Sequence, residues 1–459
     1  MEKDSLFETM KPGSALARMA LPTVASQIII LLYNLADTWF IGRTNNPYMV
    51  AASSLALTVY LAAAALANVF GVGGGTLMVR LIGQKKTDDA KKVAAYTVMA
   101  SVTASVVFSA IIALLMDPIL HLLGAGENTI EYGRQYLITT SVIGTLPTVL
   151  SMSMPQLLRN AGYAKEAGIG VALGSILNIA LDPLFMFVIL SEGYEVLGAG
   201  IATALSNFGS LIFFLIMFRR VRNKSVLRIS FKRQKIGKAN LRSFYTVGIP
   251  AAVAIFMFDL VTIVINRLVV AYGDIPLASM GIVLKLERLP INMGLGICLG
   301  MVPLVAYNFG SKNFKRMGQF VSLARMVILV FSAICSVLFF CFADQIVGVF
   351  IKDEETVRLG AEFLRARCFS LPFMMIGYHV VNYMNAVNKG PVSFFLAIIR
   401  HVVLIIPIML LMNGIWGLTG LIWSQLVADA GNALVAILIY LKVNKQITTV
   451  QPQVQNSAV

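Results

Sequence analysis

The sequence predicts an all-α polytopic membrane protein, with twelve transmembrane helices in two homologous six-helix bundles related by a pseudo-twofold axis along the membrane normal. Three observations carry that prediction. Of 459 residues, 58% are apolar and only 13% are charged, about half the charged share of a soluble domain. The chain repeats itself: ENTIEYGRQYL at 127 returns as EETVRLGAEFL at 354, an offset of 227. Leu146-Pro147 returns as Leu371-Pro372, Asn160-Ala161 as Asn385-Ala386, and Leu21-Pro22 is answered by Ile249-Pro250. The third observation is that basic residues alternate from loop to loop, as they do in multi-pass helical proteins.

Apolar runs long enough to cross about 30 Å of hydrocarbon follow one another along the chain. The charged start (Glu2, Lys3, Asp4, Glu8, Lys11) leads into a first run at 16–41. That run continues for a full span with no small-residue cleavage site, so it reads as a retained helix rather than a signal peptide. Further runs fall at 50–80, 93–116, 134–157, 167–190 and 196–218. The second half gives 244–270, 277–307, 319–342, 359–384, 391–412 and 415–441. The expected organisation is a first lobe over 1–218, a basic linker over 219–243, a second lobe over 244–445 and a polar tail over 446–459.

Loop charge orients these spans. With the N-terminus in the cytoplasm, one side holds 25 Lys and Arg and the other only Arg43, Arg134, Lys352 and Arg358. An even number of spans places both termini in the cytoplasm of a cell membrane. The net charge of +15 is then mostly topological. The stretch 219–242 carries ten basic residues and no acid, but it sits between two spans, so anionic lipid headgroups are its expected partner rather than nucleic acid. Six spans per half give the two repeats the same orientation, with a cleft between them suited to alternating access.

Ionisable side chains inside the spans are costly and usually face protein or a water-filled cavity. In the first span Tyr33 and Asp37 are four apart and share a helix face, with Gln27 and Asn34 on a neighbouring one. In the fifth, Gly170, Gly174, Asn178 and Asp182 recur every four residues, with Pro183 loosening the backbone beyond them. Asn178 and Asp182 are expected to cluster with Asp37, as a site for a proton, a sodium ion or a cationic cargo. A structural polar seam, or a position at a helix end, is the alternative. Thr203 and Asn207 on the sixth span are further candidates.

The second half lacks those acids at the corresponding places. It has Asp259, Thr262 and Asn266 on one face of the seventh span. Lys285, Arg288, Asn292 and Gly296 form a stripe in the eighth, with Glu287 alongside. Glu287 is read either as a cargo or proton site or as an ion-pair partner of Lys285 or Arg288. His379, Asn382 and Tyr383 in the tenth span are candidate cavity residues. Methionines such as Met257 suit an irregular hydrophobic cargo, although they suit helix packing equally well. The glycines at 71 and 73–75 lack the Gly-Lys-Ser/Thr of a phosphate loop and read as close packing or a bend. Cys298, Cys335, Cys341 and Cys368 form no CxxC, and no histidine joins them at zinc-ligand spacing. No cofactor is expected, and no arrangement of nucleophile and base suggests an enzyme.

With these residues in view, the chain resembles the multidrug and toxic compound extrusion (MATE) family, especially its bacterial multidrug-efflux members, over roughly 10–445. The matching stretches are LPTVASQIIILLYNLADTWFIG, FGVGGGTLMVRLIG, QLLRNAG, VALGSILNIALDPLF, LGAGIATALSN and MVPLVAYNFG. The resemblance implies two six-helix lobes around a central cavity and export of hydrophobic organic cations in exchange for H⁺ or Na⁺. It places ion coupling on Asp37, Tyr33, Asn178, Asp182 and Thr203, of which Asp37, Asn178 and Asp182 would hold the ion if it is Na⁺. Asp37, Glu287, Asn34, Met257 and Asn292 are the expected cargo contacts, and the expected state is a monomer. A flippase or exporter of a lipid-linked or other amphipathic metabolite is the alternative, and it would call for basic residues in the cavity, of which Lys285 and Arg288 are the main mid-span pair.

Overall fold

The structure is a computed structural model and describes residues 2–44, 46–230 and 234–449, apart from the side chains of 2–4, 255, 256, 258 and 259. Asp259 therefore lies outside the described side chains, as does 450–459 of the polar tail. The described residues are helical almost throughout. Among the described residues eight helices are by themselves long and apolar enough to cross a membrane, and a bent pair taken as one span makes a ninth crossing. The helical stretch Gly390–Thr449 holds two crossings, because Gly417 adopts φ 59°, outside helical geometry, and breaks it. Lys238–Val269 and the pair Glu354–Cys368 with Leu371–Ala386 complete twelve.

The first lobe contains Pro12–Gly42, Pro47–Gly83, Thr87–Leu114, the bent fourth span, Ala164–Leu184 and Glu195–Val221. The fourth span turns by 51° between Glu127–Ile143 and Thr145–Asn160, where Gly144 intervenes. The second lobe repeats this order with Lys238–Val269, Asp274–Gly310, Phe314–Cys341, the tenth-span pair and the two crossings after Gly390. Each fourth span of a lobe is thus built from two shorter helices, the first of which carries ENTIEYGRQYL in one lobe and EETVRLGAEFL in the other. Large apolar side chains such as Val106, Ile111, Val330, Val337 and Leu434 remain exposed on the outside. In a lipid solvent that exposure costs nothing, and the buried faces can be small and polar instead.

The lobes meet through backbone. The first span packs on the eighth, and the second packs on the seventh and eighth. A Cβ added at Gly296 would come within 2.7 Å of the Val24 Cα, and one at Gly300 within 2.6 Å of the Ala20 Cα. Gly83 faces the Tyr307 carbonyl and Gly310 faces the Arg80 carbonyl, both too closely for any side chain. Gly73 lies against the Phe244 carbonyl, while Gly74 and Gly75 pack on Thr97 and Asn160. The glycine run is therefore a close-packing device on several sides at once. The Gly83 and Gly310 contacts lie at the end of the bundle that carries Lys85, Lys86 and the linker, here called the basic end.

That end is also stitched by polar groups. Buried Arg80 donates to Ser243 Oγ at 2.9 Å, and Ser243 donates to Asn388 Oδ1 at 2.7 Å. The short helix Glu2–Glu8 lies across the seam. Phe7 stacks on Tyr307 with ring centroids 4.7 Å apart, and its carbonyl accepts from Arg316 Nε at 2.7 Å. Glu8 accepts from Lys85 Nζ at 2.8 Å and from the Tyr307 hydroxyl at 2.5 Å. One apolar cluster accordingly joins Leu6, Met19 and Val79 of the first lobe to Met301, Tyr307 and Tyr383 of the second.

Candidate transport site

Between the lobes lies a cavity of about 630 Å³, the size of a site for a drug-sized molecule. Its first-lobe wall carries Gln27, Tyr33, Tyr60, Asn68, Asn178 and Asn207, with one buried base, Arg159, whose Nη1 donates to Gln156 Oε1 at 2.8 Å. Its second-lobe wall carries Arg288, Asn292, Tyr378, Asn382, Arg400, His401 and Asn432. The rest of the lining is largely aliphatic, including Ile30, Leu61, Val171, Leu295 and Leu299.

The two acids singled out from the first lobe sit outside this lining, beyond Tyr33 and Asn178 of the wall. The first and fifth spans pack together and bring Asp37 near Asp182. Tyr33 and Tyr136 lie close to both. Asp182 is fully buried and Asp37 partly so. Among the described residues no basic side chain pairs with either acid. Both carboxylate oxygens of Asp182, Asp37 Oδ1 and Asn178 Oδ1 are buried without a hydrogen-bond donor. Asn178 is oriented by donating its Nδ2 to Thr203 Oγ1 at 3.3 Å. Four buried acceptor oxygens in this part of the first lobe are thus left without a donor. An ionised carboxylate in such a place is expensive, so the arrangement favours uptake of a proton or a metal cation.

The fifth span is shaped for this. After Asp182 and Pro183 the α-helix gives way to a π-turn over Phe185–Ile189, since proline cannot donate to the preceding turn. Such turns are frequent at functional positions. Gly170 and Gly174 let the sixth span approach, and Ser210 donates to the Gly170 carbonyl at 2.9 Å.

The second lobe treats its acids differently. Glu287 does not line the cavity, nor does it pair with Lys285 or Arg288. It is buried and accepts two bonds from Arg367, Nε at 2.7 Å and Nη2 at 2.8 Å. The eighth-span helix turns Glu287 toward the tenth span while Arg288 and Asn292 face the cavity. Arg367 comes from the helix Glu354–Cys368 that precedes the tenth-span bend; it falls inside the predicted run 359–384, and sequence reasoning passed over it. Asp429 in the twelfth span is fully buried. It accepts from Arg400 Nε at 2.9 Å and from Gln425 Nε2 at 2.6 Å.

Other expectations fall on either side of the wall. Asn292 and Asn382 line the cavity, and Asn207 donates to Thr148 Oγ1 at 3.0 Å beside it. Asn34 is exposed away from it, and Met257 is not among its lining residues. His379 is buried with Nε2 at 3.0 Å from the Val321 carbonyl, and Tyr383 donates to Asn444 at 3.1 Å, so both serve packing. Sequence reasoning passed over Arg400, His401 and Asp429, although ionisable residues in the middle of apolar spans are the signal that found Asp37. It also passed over Tyr60 and Tyr136, whose hydroxyl-bearing rings look like ordinary apolar filling in a sequence. Among the described residues no three His, Cys, Asp or Glu side chains gather as a metal centre.

The comparisons with known proteins agree with this architecture. The multidrug export protein MepA of Staphylococcus saprophyticus is 30% identical over 449 residues, covering 97% of this chain and 96% of that protein. MepA of Staphylococcus aureus is 31% identical over 444 residues, covering 96% of each. Among solved structures, MATE in complex with MaL6 superposes with a TM-score of 0.91 at 21% identity, over 98% of this chain and all of the other. The outward-facing conformation of a multidrug resistance MATE family transporter superposes with a TM-score of 0.89 at 22% identity, over 97% of this chain and 99% of the other. The MatE family model matches residues 22–184 and 250–411, one stretch in each lobe. The chain belongs to the MatE family.

Proposed function

We propose that the protein is a secondary active exporter that moves hydrophobic organic cations out of the cytoplasm in exchange for H⁺ or Na⁺. The observation that carries this reading is the pair of buried carboxylates, Asp37 and Asp182, lying beyond the cavity wall without a basic partner. The kinship with MepA proteins, named as multidrug export proteins, supports the same reading.

The basic end faces the cytoplasm, following the positive-inside rule. The lobes are closed there by glycine contacts, so this state opens toward the outside. An external cation enters the first lobe and neutralises Asp37 and Asp182, with Tyr33, Asn178 and Thr203 orienting the site. Neutralisation removes the charge that held a cationic cargo and so releases it. Return to the inward state delivers the ion and restores the charge. Ion and cargo are thereby linked reciprocally, each weakening the other's binding. Residues 1–218 and 244–445 are the moving bodies, and the basic stretch between them contacts lipid headgroups while the protein works as a monomer.

The test is efflux of a fluorescent organic cation from proteoliposomes under separately imposed pH and Na⁺ gradients. Acceleration by one gradient is expected. Indifference to both overturns antiport.

A further inference from the structure

We infer that the helix Glu2–Glu8 is a strap on the closed basic end: it travels with the first lobe, grips the second, and must let go before that end can open. Such a gate device does not depend on what the cavity carries.

A helix of seven residues is too short to hold its shape by its own hydrogen bonds, so its order comes from what it packs on. Leu6 and Phe7 are almost fully buried, in a slot with one wall from each lobe. The first-lobe wall is the turn after the fourth span, where a Cβ added at Gly162 would stand 3.3 Å from Phe7 Cε2 and 3.5 Å from Leu6 Cδ2. The second-lobe wall is Tyr307, whose ring lies nearly parallel to that of Phe7, at an interplanar angle of 13°. Glu8 is shared in the same way, between Lys85 of one lobe and Tyr307 of the other.

The ties to the two lobes differ in kind. To the first lobe the strap is joined covalently, because only Thr9, Met10 and Lys11 separate it from the first span. Its hold on the second lobe is made of bonds that can break, and Arg316 is the anchor. Asn313 caps the helix Phe314–Cys341 by accepting from the Arg316 N–H at 3.1 Å, which sets Arg316 in the first turn. Its guanidinium carbon lies 5.0 Å from the centre of the Phe320 ring. From there Nε donates to the Phe7 carbonyl, and Nη2 to the Met10 carbonyl at 2.5 Å. The Phe7 carbonyl belongs to the last turn of its helix, where carbonyls lack an intrahelical partner. Asn308 Nδ2 adds a second bond to it at 3.3 Å.

Parting the lobes draws one wall of the slot from the other, so Leu6 and Phe7 cannot keep both. A three-residue link reaches about 10 Å at most, so the strap stays beside the first span and loses its second-lobe bonds. Contacts made in one state and lost in the other bias the equilibrium toward the state that has them.

Purified protein, without cargo or ion gradient, gives the test. Cysteines placed at Gln84 and Ser311, beside the Gly83 contact, cross-link when the basic end is closed, the native cysteines being replaced by alanine. Deletion of residues 2–9 should slow this cross-linking at least threefold. Phe7→Ala and Arg316→Gln should each slow it by a smaller factor, and they carry the test if the deletion variant does not fold. Cross-linking at the parent rate in these variants overturns the strap. Spin labels at the exposed positions Thr9 and Lys315 follow the strap itself. In Gly83→Val the fraction of molecules with a lengthened Thr9–Lys315 distance should rise in step with the loss of Gln84–Ser311 cross-linking. An opened seam with an unchanged distance means that the strap rides on the second lobe throughout, and it also overturns the proposal.

Discussion

The two lobes share a fold and differ in how they hold negative charge. In the first, Asp37 and Asp182 are left without a basic partner, and their oxygens are largely without donors. In the second, Glu287 is gripped by Arg367 and Asp429 by Arg400, both pairs buried. A paired carboxylate is already satisfied and has little to gain from an incoming ion. An unpaired one must be neutralised from outside whenever it is dry. Duplication supplied two similar scaffolds, and the placement of a few side chains left the described buried acids of one unpaired and those of the other paired.

The sharpest way to break this contrast is to neutralise the first lobe. Asp37→Asn and Asp182→Asn should each reduce gradient-driven efflux to the level of protein-free liposomes. Neither should lose thermal stability, because removing a buried unpaired charge relieves a cost. Efflux that survives either substitution would remove that acid from the coupling role.

The second lobe should respond in the opposite sense. Arg367→Ala leaves Glu287 buried and alone, at a cost of about 3–5 kcal/mol, whereas replacing both partners by apolar residues of similar volume is often near neutral. Thermal unfolding of Arg367→Ala against Glu287→Leu, Arg367→Met measures this, and equal losses in the two would contradict it.

Conformational balance is the next smaller effect. Gly83→Val places a side chain against the Tyr307 carbonyl and should disfavour closure of the basic end. A tenfold shift of population, equivalent to about 1.4 kcal/mol, is expected in cross-linking between cysteines placed across that seam. A variant that still cross-links like the parent would show the contact to be incidental.

The smallest effect belongs to the N-terminal helix. Lys85 and then Tyr307 hold the Glu8 carboxyl below its ordinary range. A depressed carboxylate contributes above its unfolded value of about 4.3 and loses that contribution as pH falls through the lowered native value. Both partners are well exposed, Lys85 at 73% and Glu8 at 39%, so Glu8→Gln should cost under about 1 kcal/mol at neutral pH. The difference should vanish in acid, and melting curves at neutral and acid pH would reveal it.

Much of this was legible in the sequence because it depends on periodicity and cost. Long apolar runs and the 227-residue offset reveal twelve crossings, since lipid admits few other solutions. Asp37, Asn178 and Asp182 stand out because carboxylates and amides inside such runs are rare. The partner of Glu287 was not legible, since its neighbours Lys285 and Arg288 are the obvious suggestions and helix phase turns them elsewhere. Arg400 and Asp429 are 29 residues apart on two spans joined by a break at Gly417. Only the packing of the eleventh span on the twelfth makes them a pair.

The glycine seam at the basic end has a consequence for turnover. Where backbone meets backbone, parting the surfaces frees few rotamers and requires none to be re-sorted. A gap of roughly 0.5–1 Å between such surfaces already forfeits about a quarter to a half of their dispersion energy. The glycine contacts of the seam therefore act over a short range, firm when seated and weaker once slightly open, while the side-chain bonds of Arg80 and Glu8 reach across it. A pump whose closed end releases in this way spends little time half open, and a half-open pump is one that leaks.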